Sequence, residues 1–234
     1  MTDKPLLILV PGLLCTADLY AHQIAHLGDV AVSLATAEHS RHDSLGAIAE
    51  AILAAAPRQF ALAGLSMGGY IAFEIMRRAP ERVLKLALLD TSARADGPEQ
   101  TARRKELLAE AEVGRFRGVT QKLLPLFIHP DRLQDKALVE RVYAMATEIG
   151  RDAFFHQQRA IIARPDSRGD LARIKCPTLV LCGDADKLTP PERAREIADG
   201  IAGARLEIVA HCGHLATMEQ PEAVTAALRQ WLEG

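Results

Sequence analysis

Aromatic residues make up only 4% of this 234-residue chain, with a single tryptophan, and no long apolar run interrupts it. A membrane-spanning helix needs about 20 apolar residues in a row. The first apolar stretch, Leu6–Val10, meets Pro11-Gly12 after one strand's length. The polar opening Met1–Pro5 is too short for the charged and apolar regions of a secretory signal. An excess of positive charge is also missing: 28 Lys and Arg stand against 30 Asp and Glu, a net charge of -2. That balance gives neither nucleic acid nor an anionic membrane a reason to bind. Cysteine is scarce. Cys15, Cys176, Cys182 and Cys212 have no zinc-like or redox spacing, and in a reducing compartment they are expected to be small buried hydrophobes. Only Cys182 and Cys212, near the ends of two predicted strands, invite a pairing. The expectation is a soluble cytoplasmic protein whose partner is a small-molecule substrate, with no nucleic acid, no membrane, no cofactor and no metal.

What is present is alternation. Short runs rich in Leu, Val, Ile and Ala recur at Leu6–Val10, Val30–Leu34, Phe60–Leu65, Val83–Leu89, Thr178–Cys182 and Leu206–Ala210. They show little in/out polarity, as strands do when helices cover both faces of a parallel sheet. Between them lie segments of helical period. Asp43 or Ser44 caps one that runs through Ile52, Met67–Arg78 makes another, Thr189 with Pro190 and Pro191 starts a third, and Pro221–Leu232 closes the chain. The pattern predicts an α/β fold: a doubly wound, mainly parallel sheet of about six strands. Residues 92–175 contain no strand pattern, only helical stretches (Thr101–Ala111, Lys136–Thr147, Phe154–Ile162) broken by Pro125, Pro130 and Pro165. They are expected to form a helical cap before the penultimate strand, over a core of residues 1–91 and 176–234. The charge divides unevenly: 92–175 carries a net +4 and the remainder -6. Solvated helix faces account for most such imbalances, and the sharper reading is that cap arginines meet a carboxylate on the substrate.

Gly64-Leu65-Ser66-Met67-Gly68 sits between the predicted strand Phe60–Leu65 and the helix Met67–Arg78. In that context the serine occupies a tight turn, and small flanking residues avoid clashes that a Cβ would create. The turn would lift the Ser66 hydroxyl above the sheet, as a nucleophile. A serine hydroxyl needs a base beside it. His214, just past the last predicted strand, falls at the same sheet edge, and Gly213 lets the chain turn inward. His211 is the competitor, and the two histidines lack a third metal ligand at credible spacing. The base needs an acid to fix its tautomer. Asp184, Asp186 and Asp90 each follow a predicted strand at the correct edge, and spacing alone does not rank them.

With Ser, Asp and His in this order, the chain resembles the α/β-hydrolase superfamily, from Leu6 to Trp231. The specific matches are the first turn, the serine elbow, the acid loop and the histidine. The family's acid sits in a Gly-x-x-Asp-x-x-x-Pro segment, which Gly183, Asp186 and Pro190 match. The resemblance therefore implies Asp186 as the acid of a Ser66–His214–Asp186 triad. It also implies two backbone donors for the developing oxyanion, Met67 N–H and a group in the turn Pro11-Gly12-Leu13-Leu14, with Leu13 first and Leu14 the alternative. Relatives carry His where this chain has Pro11, so the support of that turn must differ. Larger relatives also begin with an extra hairpin that this chain does not show. The expected activity is hydrolysis of carboxylic esters through an acyl-enzyme. A carbon–carbon bond hydrolase or lyase acting on a carboxylate-bearing metabolite is the alternative, and a non-catalytic ligand sensor comes after it. Leu14, Phe127, Leu188 and Leu215 are expected to line the substrate cleft. Leu123, Leu126, Tyr143, Phe154 and Phe155 supply further apolar candidates from the cap.

Overall fold

The computed structural model describes residues 4–34, 38–116 and 118–234. Among the described residues six strands form one sheet: β1 (Leu6–Val10), β2 (Val32–Leu34), β3 (Phe60–Leu65), β4 (Val83–Leu89), β5 (Thr178–Gly183) and β6 (Arg205–Val209). Their order is β2-β1-β3-β4-β5-β6, and every neighbouring pair is parallel. The helices are α1 (Ala21–His26), α2 (Leu45–Ala55), α3 (Met67–Arg78), α4 (Pro98–Glu110), α5 (Lys136–Ile162), α6 (Pro191–Gly200), α7 (Ala216–Glu219) and α8 (Pro221–Glu233). Among the described residues no helix is long and apolar enough to cross a membrane.

The near-continuous apolar strands divide their side chains by parity. Leu7, Leu9, Ala61, Ala63, Leu65, Ala87, Leu89, Leu179 and Leu181 face one core, shared with Leu19, Tyr20 and Leu27 around α1 and with Val224, Leu228 and Trp231 of α8. Their neighbours Ile8, Val10, Leu62, Leu86, Leu88, Val180 and Cys182 face the other, against Ile48 of α2, Ile71 and Ile75 of α3, and Ile197 of α6. A period of two with helices on both sides is what turns an unbroken hydrophobic run into a doubly covered strand.

Several local readings shift. The predicted strand Val30–Leu34 is shortened to Val32–Leu34, because the N–H groups of Val30 and Ala31 both donate to Leu27 O in the turn closing α1. Ser44 caps α2, its side chain accepting from Ala47 N. Thr189 does not cap α6. The helix starts at Pro191 with no side-chain cap on Pro190, and the Thr189 hydroxyl is spent on Asp186, 2.7 Å away. The two helical stretches in 136–162 form one helix interrupted at Gly150, whose φ of 78° and ψ of -178° lie in a region open essentially to glycine. Between β4 and β5 the described residues hold helices and turns only, α4 and α5 being the longest. All four cysteines are free thiols.

The strand order reverses between β1 and β3, each neighbouring the other while β2 lies outside. At such a switch point the loops leaving the two strands part to opposite faces and open a crevice at the strands' carboxyl ends. The strand ends Val10, Leu65, Leu89, Gly183 and Val209 lie along this edge, held in register by the pairs Val10↔Gly64, Leu65↔Leu89, Leu89↔Leu181 and Gly183↔Val209. The candidate residues follow these ends.

Candidate active site

Ser66 joins β3 to α3 with φ 55° and ψ -114°, a left-handed backbone that a serine adopts only under constraint. The constraint is visible on both sides. Ser66 N–H donates to Leu89 O at 2.9 Å, and its carbonyl accepts from the Thr91 hydroxyl at 2.8 Å. The flanking glycines are required by contact. A Cβ at Gly64 would collide with the Gly68 carbonyl, and one at Gly68 with the Val10 carbonyl. Helix α3 can therefore start directly against the end of β1, with Met67 N–H in its first turn, where backbone donors lack intrahelical partners.

The turn after β1 lies against this serine: a Cβ added to Gly12 would sit 3.4 Å from the Ser66 Cβ. Leu13 and Ser66 line the same cavity. Leu14 has φ 59°, and its N–H donates to Gln157 Oε1 at 3.1 Å. That donor is committed to α5, and Leu14 is buried outside the cavity lining. Of the two alternatives in this turn, only Leu13 faces the cavity. The support expected to replace the missing histidine comes from afar: buried His39 donates from Nε2 to Gly12 O at 3.0 Å, and Gln157 holds the other end of the turn.

His214 Nδ1 lies 2.8 Å from Asp186 Oδ2, and both side chains are buried. Burial opposes ionisation of Asp186, but the charge of His214 and hydrogen bonds from His214 and Thr189 outweigh it and hold the carboxyl below its ordinary value. Asp186 Oδ1 accepts the N–H groups of Leu188 at 2.8 Å and Thr189 at 3.0 Å. An ionised carboxylate only accepts, so the proton between the pair sits on His214 Nδ1; in the neutral ring Nε2 then carries the lone pair. His214 and Ser66 line one cavity of about 280 Å³.

The other two aspartates have different duties. Asp90, fully buried with φ 42°, accepts Gly183 N–H at 2.9 Å and Ala216 N–H at 3.3 Å, tying the acid and histidine loops together. Desolvation, helped by the charge of Asp186, pushes its carboxyl well above the usual range. Asp184 accepts Cys212 N–H at 3.0 Å, and it too is a loop brace. His211, the competing base, is 79% exposed on its side chain and turns toward Asp131 and His129 of the helical segment. Ligand-type atoms of His129, Asp131 and His211 lie within 4.8 Å of one another, in a group that does not include His214.

Glu219 is a functional-site residue that sequence reasoning does not find. Its buried carboxylate accepts N–H groups from Gly213 at 3.0 Å, Leu215 at 3.2 Å and His129 at 2.6 Å. It shapes the loop that carries His214. A glutamate one residue before Gln220-Pro221 reads as an exposed helix-start acid, so no local signal marks it. Phe127, Leu188 and Leu215 line the cavity, with Leu123 and Leu126. Phe154 belongs to the apolar core, and Tyr143 and Phe155 pack against it.

Comparison with known proteins identifies a family and a fold. The profile of the alpha/beta hydrolase family matches residues 7–227. The chain is 26% identical over 194 residues to a pimeloyl-[acyl-carrier protein] methyl ester esterase of Neisseria meningitidis, covering 80% of this chain and 75% of that one. A thermophilic esterase from Thermogutta terrifontis, solved with malate bound, superposes with a TM-score of 0.90 at 27% identity, over 98% of this chain and 89% of its own. A hydrolase from Pseudomonas aeruginosa superposes with a TM-score of 0.86 at 28% identity, over 100% and 92%.

Proposed function

The chain belongs to the alpha/beta hydrolase family, and from that membership and the site's geometry we propose that it hydrolyses carboxylic esters of small molecules through a Ser66–His214–Asp186 triad. The observation that carries the reading is the buried His214–Asp186 pair, 2.8 Å apart, sharing a cavity with a serine held at positive φ. The similarity to proteins described as esterases supports the choice of ester among the bonds this machinery can cleave.

In this mechanism Ser66 Oγ attacks the ester carbonyl while His214 Nε2 takes its proton. The charge moving onto the carbonyl oxygen is met by the N–H groups of Met67 and Leu13, oriented before reaction by the start of α3 and the β1 turn. Asp186 stabilises the imidazolium, which then protonates the leaving alcohol. Water, activated by the same nitrogen, releases the acid and restores Ser66. The helical residues 92–175 act as a cap that supplies part of the cavity wall.

Ser66→Ala tests the reading directly. Hydrolysis of p-nitrophenyl butyrate should fall by a factor on the order of 10⁴ or more, with the circular dichroism spectrum and Tm retained. An organophosphate should label the wild type at Ser66 alone by mass spectrometry. Substantial turnover by the variant, or labelling elsewhere, would refute the assignment.

A further inference from the structure

The cavity beside Ser66 is lined by six basic side chains, Arg94, Arg103, Arg104, Arg164, Lys187 and Arg193, and by no aspartate or glutamate. The carboxylates that balance them stand behind the wall. Asp96, 1% exposed on its side chain, pairs with both Arg104 and Arg164 at 2.7 Å, and Glu196 pairs with Arg94 at 2.8 Å. Two carboxylates thus serve three guanidinium groups. Arg103, Lys187 and Arg193 make no ion pair among the described residues.

Arg104 is the fixed centre of this wall. Its Nε donates to Asp96 Oδ2 at 2.7 Å and its Nη1 to the buried Gln158 Oε1 at 2.9 Å. Arg164 is held as firmly, lying 4.2 Å from the Tyr70 ring centroid and donating to the carbonyls of Arg94 and Ile161. Guanidinium groups positioned in advance lose little freedom on meeting a planar anion. In a partly enclosed cleft their surplus charge is also screened less than on an open surface. The histidine side differs. Phe127, whose ring lies 6.4 Å from that of His214, and Leu215 are the apolar neighbours of the base, where the leaving alcohol must be protonated.

We propose that the cavity selects esters whose acyl part ends in a free carboxylate, hemiesters of short dicarboxylic acids, with Arg104 at the centre of the anion subsite and a small uncharged alcohol leaving past His214. The proposal rests on the esterase reading for its turnover and not for its binding. The acyl chain would cross the apolar floor while its carboxylate meets the basic wall.

The test compares p-nitrophenyl hemiglutarate with p-nitrophenyl butyrate. The wild type should show a kcat/KM for the hemiester roughly tenfold or more above that for the neutral ester. Arg104→Gln should collapse this ratio, mainly through KM for the hemiester. Because Arg104 is tied to buried Asp96, Arg193→Gln, which breaks no ion pair, must lower the same ratio in a second variant. Glutarate should bind Ser66→Ala in calorimetry and lose affinity when Arg104→Gln is added. A ratio at or below one, or a ratio that neither arginine variant moves, would overturn the anion subsite. If no ester is turned over yet glutarate binding depends on these arginines, the esterase reading fails and the subsite stands.

Discussion

Asp90, Asp184 and Asp186 follow strands at one sheet edge, and their surroundings give them three different roles. Asp186 meets His214 and is held ionised. Asp184 braces Cys212 N–H. Asp90 is enclosed, its carboxyl pushed up by burial and by the neighbouring Asp186 charge. Asp186→Asn should lower kcat on p-nitrophenyl butyrate by a factor on the order of 10³–10⁴, since an amide can donate to Nδ1 and favour the wrong tautomer. Asp184→Asn keeps an acceptor for Cys212 and should cost less than tenfold; equal losses in the two would reassign the acid. Asp90 governs stability instead. Its folded pKa lies above the ordinary 3.8, so folding takes up a proton at higher pH. The stability it contributes is complete below about pH 3.8 and is lost as pH rises toward its folded pKa. Urea unfolding from pH 4 upward should show wild type losing stability relative to Asp90→Asn, by at most about 1.4 kcal/mol per pH unit. A difference that does not change with pH would place an ordinary carboxylate there.

At the scale of elements, the serine turn works because β1, β3 and α3 meet without side chains between them. Gly68→Ala would drive a Cβ into the Val10 carbonyl, and backbone there cannot give way cheaply. Urea denaturation should show a loss of about 3 kcal/mol or more. Gly169→Ala, with open space around the new methyl, should stay within about 0.5 kcal/mol. Comparable losses would mean that the β1–α3 approach relaxes freely. This element is legible in the sequence: strand, Gly-x-Ser-x-Gly and helix are contiguous, and the boundaries of β3 and α3 coincide with those that periodicity predicts. The start of α6 is less so. A hydroxyl before two prolines has the local pattern of a helix cap, and nothing in that pattern shows that the Thr189 hydroxyl donates to Asp186 instead.

Over the whole molecule, His214 hangs from the helical segment as much as from the sheet. His214 N–H and Leu215 N–H both donate to Phe127 O, at 2.9 and 3.1 Å, and Glu219 links Gly213 and Leu215 to His129. A helical segment that lifted away would break these bonds and leave the buried Glu219 carboxylate without one of its donors, at a cost of roughly 1–3 kcal/mol per unmet group. Native-state hydrogen exchange should therefore show the amides of His129, His214 and Leu215 opening with one common free energy. Faster, independent exchange at His129 would mean that residues 92–175 move without disturbing His214.

The local pattern of the chain specifies the parallel sheet of six strands, the edge that carries the candidate residues, and the tight turn at Ser66, because apolar periodicity and glycine requirements act over a few residues. It placed His214 by the same logic. The match of Gly183, Asp186 and Pro190 to the family segment already implied Asp186 as the acid; the tertiary structure added what each aspartate meets, tied the β1 turn to His39 and Gln157, committed Leu14 to α5, and brought Glu219 to the His214 loop. The contacts of the β1 turn reach across 143 residues for Leu14 and 27 for His39, and burial and hydrogen bonding between distant segments leave no periodic trace. The serine that a five-residue pattern marked is thus supported by groups that no pattern marks.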